Sequence, residues 1–400
     1  MTNIAILGFG VVGGGVARLI TDNYANVCAL GGEKINIKYI LDLRDFPDSP
    51  FADRIIHDYD IIANDPEIDT VIEVMGGSHP AYEFTVKALQ AGKNVITSNK
   101  EVVANFGDEF LALARANGVC YRFEAAVGGG IPVISPVISC VRQNKITEIR
   151  GILNGTTNYI LTKMFTLGES FENALADAQA KGYAERNPDA DILGTDACRK
   201  IVILTALVTG KLVSPDTVHT EGITAIRGAD VRAAERLGYS IKLVGRCIVC
   251  EDDAPYVVVA PFMIPKDEPL STVFGVYNAV EVEGEPLGNV MFYGQGAGAG
   301  ATASAVVGDL CQIMRAGTHA ASPYFERIKA PRDFSGFVAR HYIATEGSAE
   351  DVIRVFGDVR LLEGDGGEIF FITSPLAERE LSDKLGELHR TVKADIRLLD

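Results

Sequence analysis

Between Gly182 and Lys200 the chain reads "GYAERNPDADILGTDACRK", a stretch that gathers Glu185, Asp189, Asp191 and Asp196 and then delivers Lys200. Carboxylates this dense can bind a cationic group through charge-assisted hydrogen bonds. A lysine beside a carboxylate can carry a proton. The plain alternative is a solvated acidic loop. The flanks help to place the stretch. "SFENALADAQAK" carries Phe171, Leu175 and Ala178 at helical spacing and stops at Gly182. "TDACRKIVILTALVTG" is apolar on nearly all sides, the mark of a buried helix. Asp196 and Lys200 stand four apart and so share a face of that helix. The pair is a structural ion pair or a functional proton carrier, and the residues alone leave both open.

A second chemical signal opens the chain. "NIAILGFGVVGGGVARLI" is an apolar strand, then G-x-G-x-x-G at Gly8, Gly10 and Gly13, then a helical pattern. That order suits a pyrophosphate: a tight turn, a close backbone approach and a helix N-terminus facing the anion. A merely close-packed strand-to-helix turn is the competing reading. The next strand ends in "LDLRDF", where Asp42 could accept from a ribose 2′-OH and favour NAD, whereas Arg44 could pair with a 2′-phosphate and favour NADP. "NVCALGGEK" looks inserted before it, so spacing does not decide; the reading leans toward NADP with both tolerated.

The elements that must position these residues fall into an α/β protein. "INIKYILDL", "DTVIEVMGG", "KNVITSN" and "VCYRFEAAV" read as strands, with helical stretches between several of them, which predicts a Rossmann-type parallel sheet flanked by helices. From "FEAAVGGGIPVI" onward the pattern changes. "YSIKLVGRCIVC", "APYVVVAPFMIP", "NAVEVEGEPLG" and "VMFYGQ" lack crossover helices between most of them, which predicts an α+β domain with an open sheet covered on one face. The boundaries expected are residues 1–130 for dinucleotide binding, completed by a helix over 301–318, residues 131–300 for substrate and dimerisation, and a small module over 335–400.

Bulk properties exclude other classes. At 400 residues, 47% hydrophobic and 22% charged, the chain has the composition of an ordinary globular protein. A net charge of −16 without a basic arm argues against a nucleic-acid partner. No apolar run reaches spanning length and no signal peptide is read at the start, so no membrane association is expected. Seven scattered cysteines do not form a disulfide framework, and Cys247 and Cys250 read as strand residues rather than a metal or redox pair, so the expected compartment is the cytoplasm.

Over roughly residues 1–325 the chain resembles the homoserine dehydrogenases. That family's signature is filled by Ala178, Gly182, Tyr183, Ala184, Asn187, Pro188, Asp191, Ile192, Gly194, Asp196 and Lys200. "EVMGG", "SNKE", "LNGTTNYIL" and "GAGAGATASAVVGD" support it. The resemblance implies reversible reduction of aspartate 4-semialdehyde to homoserine by NAD(P)H, on the branch toward threonine and methionine. It implies Lys200 as proton donor, Asp196 holding it, and Lys100 of "SNKE" assisting where cofactor and substrate meet. The substrate's α-ammonium suits Glu185 and Asp191, with Asp196 beside them. The cofactor contacts expected are Gly8, Phe9, Gly10, Val11, Val12, Gly13, Arg44, Ser98, Lys100, Gly182 and Gly298.

Two further features follow from the resemblance. A monovalent cation, typically Na⁺, would be held by Glu124 and the carbonyls of Val127, Gly129 and Ile131, with a glycine hinge as the competing reading. Residues 335–400 order as strand, helix, strand, strand, helix, strand, which resembles the ACT module. "ATEGSAEDV" stands where an Asp-x-Pro-Gly-like effector turn would be expected, so the module is expected to dimerise rather than to sense threonine, and a homodimer or homotetramer is expected. Two other functions compete. An aspartate-semialdehyde dehydrogenase would need a thiolate nucleophile, for which Cys140 and Cys198 are available without a recognisable context. A non-catalytic nucleotide-binding amino-acid sensor would not need the intact Lys200 pattern.

Overall fold

The computed structural model describes residues 1–251, 254–316, 322–362 and 367–399. Two compact units emerge from the contacts. The first comprises Met1–Thr147, Val202–Asp216 and Val282–Lys329, and the second Glu148–Ile201, Thr217–Glu281 and Ala330–Asp400.

The first unit is built on a six-stranded sheet in the order Ile55–Ile56, Ile35–Leu41, Thr2–Leu7, Thr70–Glu73, Asn94–Thr97, Tyr121–Arg122. Every pairing is parallel. Its strands are short, apolar runs rich in Ile and Val, as strands buried on both faces must be. This is the doubly wound order whose switch point lies between the strand that enters the glycine loop and the strand that ends at Glu73. The expected strand "VCYRFEAAV" is paired only at Tyr121–Arg122, because the chain turns at Glu124–Ala126. Most of the stretch read as an insertion, 26–34, lies in the helix Tyr24–Gly31.

The helix Ala299–Ala316 packs into this unit's core. Ala303, Val306, Leu310 and Ile313 join Ile4, Ile6, Val16, Ile20 and Ile37 in one apolar cluster. Its expected last residues, 317–318, lie outside the described residues.

The second unit carries a mixed sheet, in which Tyr277–Glu285, Lys145–Ile152, Tyr239–Ile248, Tyr256–Pro265, Val392–Leu398, His341–Glu346, Glu368–Thr373 and Val359–Leu362 follow one another. Tyr239–Ile248 and Tyr256–Pro265 pair antiparallel over their full length. The C-terminal strands keep the predicted order, with the helices Ala349–Phe356 and Glu378–Leu388 between them; positions 363–364 of the expected strand lie outside the described residues. Val392–Leu398 continues the sheet by parallel pairing, Phe262 with Arg397 and Met263 with Leu398. Phe337, Ala339 and Leu399 share an apolar cluster with Ile152, Val244, Phe262 and Ala279. Among the described residues no helix is long and apolar enough to cross a membrane.

Candidate active site

The acidic stretch is shaped by its neighbours. The helix Phe171–Ala180 ends in a turn in which the amides of Tyr183 and Ala184 both donate to the Ala178 carbonyl. Gly182 sits in the left-handed conformation at that turn. Thr156 Oγ1 donates to the Tyr183 carbonyl at 2.7 Å and so ties the stretch to the start of the helix Gly155–Leu167. A single turn at Asp189–Ile192 leads into the helix Thr195–Thr209.

Lys200 and Asp196 do meet on that helix. Lys200 Nζ donates to Asp196 Oδ2 at 2.7 Å and to the Leu153 carbonyl at 2.7 Å. Both residues are buried, Lys200 at 9% and Asp196 at 7% exposure. An ammonium sunk this far needs its charge matched, and the adjacent carboxylate does so.

Asn154 is the residue that the sequence reading passed over. It stands inside "LNGTTNYIL", and its Oδ1 accepts from Thr157 N at 2.8 Å, capping the helix that follows. With Oδ1 committed to the cap, Nδ2 faces the other way. It donates to Asp191 Oδ1 at 2.6 Å and to Asp196 Oδ2 at 2.8 Å. One amide therefore joins two carboxylates that would otherwise repel. Burial pushes the Asp191 carboxyl above its ordinary range; the Asn154 hydrogen bond opposes this and the Asp196 charge adds to it.

Glu185 is exposed, and its side chain makes no hydrogen bond or ion pair among the described residues; its carbonyl accepts from Gln179 Nε2. Asp191, Asp196 and Lys200 are thus brought together, while Glu185 stands open to solvent.

In the first unit the glycine motif has the required geometry. The strand ends at Leu7 and the helix Val11–Asp22 starts one residue past Gly10, so the amides of Val11, Val12 and Gly13 lie in a first turn without intrahelical partners. A Cβ on Gly13 would fall 1.9 Å from the Gly8 carbonyl oxygen, so only glycine lets the helix approach the strand end this closely.

Beside the loop lies a cavity of ≈ 480 Å³ lined by Gly8, Gly10, Asp42, Arg44, His57 and Met75 among others. Asp42 Oδ2 accepts from Phe9 N at 2.8 Å, and Arg44 grips the same carboxylate through Nε and Nη2. That guanidinium holds the Asp42 carboxyl down at about 2. Arg44 itself is well exposed, with its side chain at 64%. Ser98 N donates to the Glu73 carbonyl, and Lys100 opens the helix Lys100–Ala116 directly after its cap, Asn99. Gly298 precedes the helix Ala299–Ala316.

The Glu124 carboxylate caps the next turn of chain. Its Oε1 accepts from Val133 N and Ile134 N and its Oε2 from Ser135 N. A carboxylate offers about four acceptor sites, so one is left over among the described residues. The carbonyls of Val127, Gly129 and Ile131 take part in no hydrogen bond among the described residues. Asp309, wholly buried, accepts from Glu124 N, and burial together with the Glu124 charge pushes it up to about 7. Among the described residues no cluster of three or more His, Cys, Asp or Glu side chains could hold a metal ion, so any cation here would rest mainly on carbonyl oxygens.

Family relationships agree with this chemistry. A family model described as homoserine dehydrogenase matches residues 132–311, and one described as the homoserine dehydrogenase NAD-binding domain matches residues 8–124. A homoserine dehydrogenase of Synechocystis sp. is 42% identical over 317 residues, 78% of this chain and 73% of that protein. One from Bacillus subtilis is 35% identical across 96% of this chain and 94% of its own length. Among solved structures, a homoserine dehydrogenase from Thiobacillus denitrificans superposes with a TM-score of 0.91 at 32% identity, covering 100% of this chain and 98% of that one. A hyperthermophilic archaeal homoserine dehydrogenase mutant in complex with NADPH gives a TM-score of 0.67 at 28% identity over 78% of this chain and 97% of its own. The chain belongs to the homoserine dehydrogenase family.

Proposed function

We propose that the protein interconverts L-aspartate 4-semialdehyde and L-homoserine with NAD(P)(H), Lys200 moving the proton at the substrate oxygen. The observation that carries this reading is the buried Lys200–Asp196 pair, aligned by Asn154 and the Leu153 carbonyl. The bound coenzyme supplies or accepts the hydride. Lys200 donates to the oxygen that becomes alkoxide-like as the aldehyde is reduced, and its positive charge stabilises that oxygen before the proton moves. Asp196 holds Lys200 aimed through their 2.7 Å hydrogen bond. Asp191 and the exposed Glu185 take the α-ammonium of the substrate. Lys100 assists from the start of its helix.

The coenzyme's pyrophosphate would rest on the Phe9–Gly13 amides, and Arg44, exposed at the cavity rim, suits a 2′-phosphate; this supports NADP with NAD tolerated. Ser98, Gly182 and Gly298 complete the proposed coenzyme contacts. A Na⁺ ion would be held by the remaining Glu124 acceptor site and the carbonyls of Val127, Gly129 and Ile131, neutralising charge and fixing the turn. We also propose a dinucleotide-binding region over 1–130 completed by the helix that follows Gly298, a substrate region over 131–300, and an ACT-like module over 335–400. Further proposals are a homodimer or homotetramer and a cytoplasmic site of action.

The thiolate alternative is not favoured. Cys198 is buried in its helix, and Cys140 is exposed with its sulfur 3.3 Å from Ser139 Oγ, which is no base. Parallel spectrophotometric assays with homoserine and each coenzyme test the reading. Coenzyme reduction dependent on homoserine supports it, and phosphate-dependent oxidation of the semialdehyde would contradict it.

A further inference from the structure

Glu73 ends the strand Thr70–Glu73 with no exposed surface, in the crevice beyond the carboxyl ends of the sheet. A lone carboxylate in so apolar a strand must collect donors from nearby. Its Oε1 accepts from Met75 N at 2.8 Å, with the Gly76 amide also directed at the carboxylate. Its Oε2 accepts from Thr97 Oγ1 at 2.6 Å, from the end of the neighbouring strand.

Thr97 is then fixed in role. Its hydroxyl gives its proton to Glu73 and accepts from Asn99 N at 2.9 Å. Asn99 in turn donates Nδ2 to the Gly77 carbonyl at 2.7 Å, and its Oδ1 caps the helix through the amides of Glu101 and Val102. Lys100 is the first residue of that helix. The Val74–Met75 side of the network lines the coenzyme cavity.

We propose that Glu73 is a positioning residue: as an acceptor-only hub it locks the Met75–Gly77 turn to the Thr97–Asn99 turn, and so sets both a wall of the coenzyme cavity and the placement of Lys100. The assignment rests on the reading of that cavity and of Lys100 given above. Burial pushes the Glu73 carboxyl up, and its hydrogen-bond donors hold it toward the ionised form. Glutamine is the same size yet cannot keep the whole network: with its NH₂ toward Met75 two donors meet, and with its NH₂ toward Thr97 that hydroxyl must turn from donor to acceptor and loses the carboxylate it now donates to.

The test uses the full chain with Glu73→Gln, Thr97→Val and Lys100→Ala. Binding of NADPH, read by its fluorescence without turnover, should weaken by about 10- to 100-fold in Glu73→Gln, as loss of a charged hydrogen-bond acceptor predicts. Hydrogen–deuterium exchange should speed up in peptides covering 73–78 and 97–102 and stay unchanged around 150–200. The kcat should fall while the KM for homoserine stays near wild type, and Lys100→Ala added to Glu73→Gln should lower kcat little further. Thr97→Val, the milder change, should show the same pattern in smaller measure and serves if Glu73→Gln does not fold. Unchanged NADPH affinity and exchange in whichever variant folds would overturn the proposal, as would fully additive effects of Glu73→Gln and Lys100→Ala on kcat. Failure of the wild-type chain to oxidise homoserine would instead strike the underlying reading, and the binding and exchange results would still judge Glu73.

Discussion

Asn154 divides its amide between two tasks: the oxygen caps a helix and the nitrogen joins Asp191 to Asp196. Replacing it by alanine removes both. The cap loss costs about 1 kcal/mol of stability. Two buried carboxylates left without their shared donor should cut kcat/KM for homoserine by roughly 10- to 100-fold, more than the stability change accounts for. Steady-state kinetics beside a thermal melt measures both. Lys242 makes a second prediction. It is buried over the Phe274 ring, with Nζ donating to Asn158 Oδ1 and the Val273 carbonyl, and burial drags its pKa from 10.5 to about 7. Between about pH 7 and 10.5 the unfolded chain therefore binds the extra proton, so Lys242 makes stability rise with pH across that window and level off below it. Lys242→Met should flatten this slope in chemical denaturation, and an unchanged slope would place the linkage elsewhere. The Asp196–Lys200 pair was legible in sequence because a four-residue spacing on a helix is a local fact. Asn154 and Glu73 were not, because their partners lie 37 and 42, and 24 residues away, and only the fold brings them near.

The elements hold these residues through close backbone approaches. A Cβ on Gly222 would lie 2.0 Å from the Ile192 carbonyl oxygen and 2.6 Å from Leu193 Cα, between Asp191 and Asp196. The Ile223 amide donates to that same Ile192 carbonyl. Neither backbone atom can yield without moving the turn that precedes the Lys200 helix. Gly222→Ala should therefore cost about 1–3 kcal/mol in stability and lower kcat/KM as well. Wild-type kinetics in a folded variant would show that the turn's position does not matter. At this scale the parallel order of the first sheet and the alternation at the C-terminus were readable from apolar runs and glycines. The parallel pairing of Val392–Leu398 with Tyr256–Pro265 was not, because a strand's partner across more than a hundred residues leaves no mark in its own pattern.

For the whole chain, that pairing has a consequence. The C-terminal residues have an apolar cluster of their own, with Ile343, Val352, Phe371, Leu381 and Leu388, and in addition Phe337 and Leu399 fill the same cluster as Ile152 and Val244, and Arg397 pairs with Glu221 and Glu378. A chain ending at Asp333 should melt at lower temperature and bind an apolar dye, since it exposes that cluster and leaves Phe262 and Met263 without their strand partner. An unaltered melt would show the tail to be dispensable. The central claim is that Lys200 carries the proton in homoserine oxidation. Its most direct test is the turnover of Lys200→Ala with homoserine and NADP, alongside NADPH binding by the same preparation. Turnover should fall by about 10²- to 10⁴-fold with coenzyme affinity nearly intact. Near-normal turnover in a variant that binds NADPH would contradict the account.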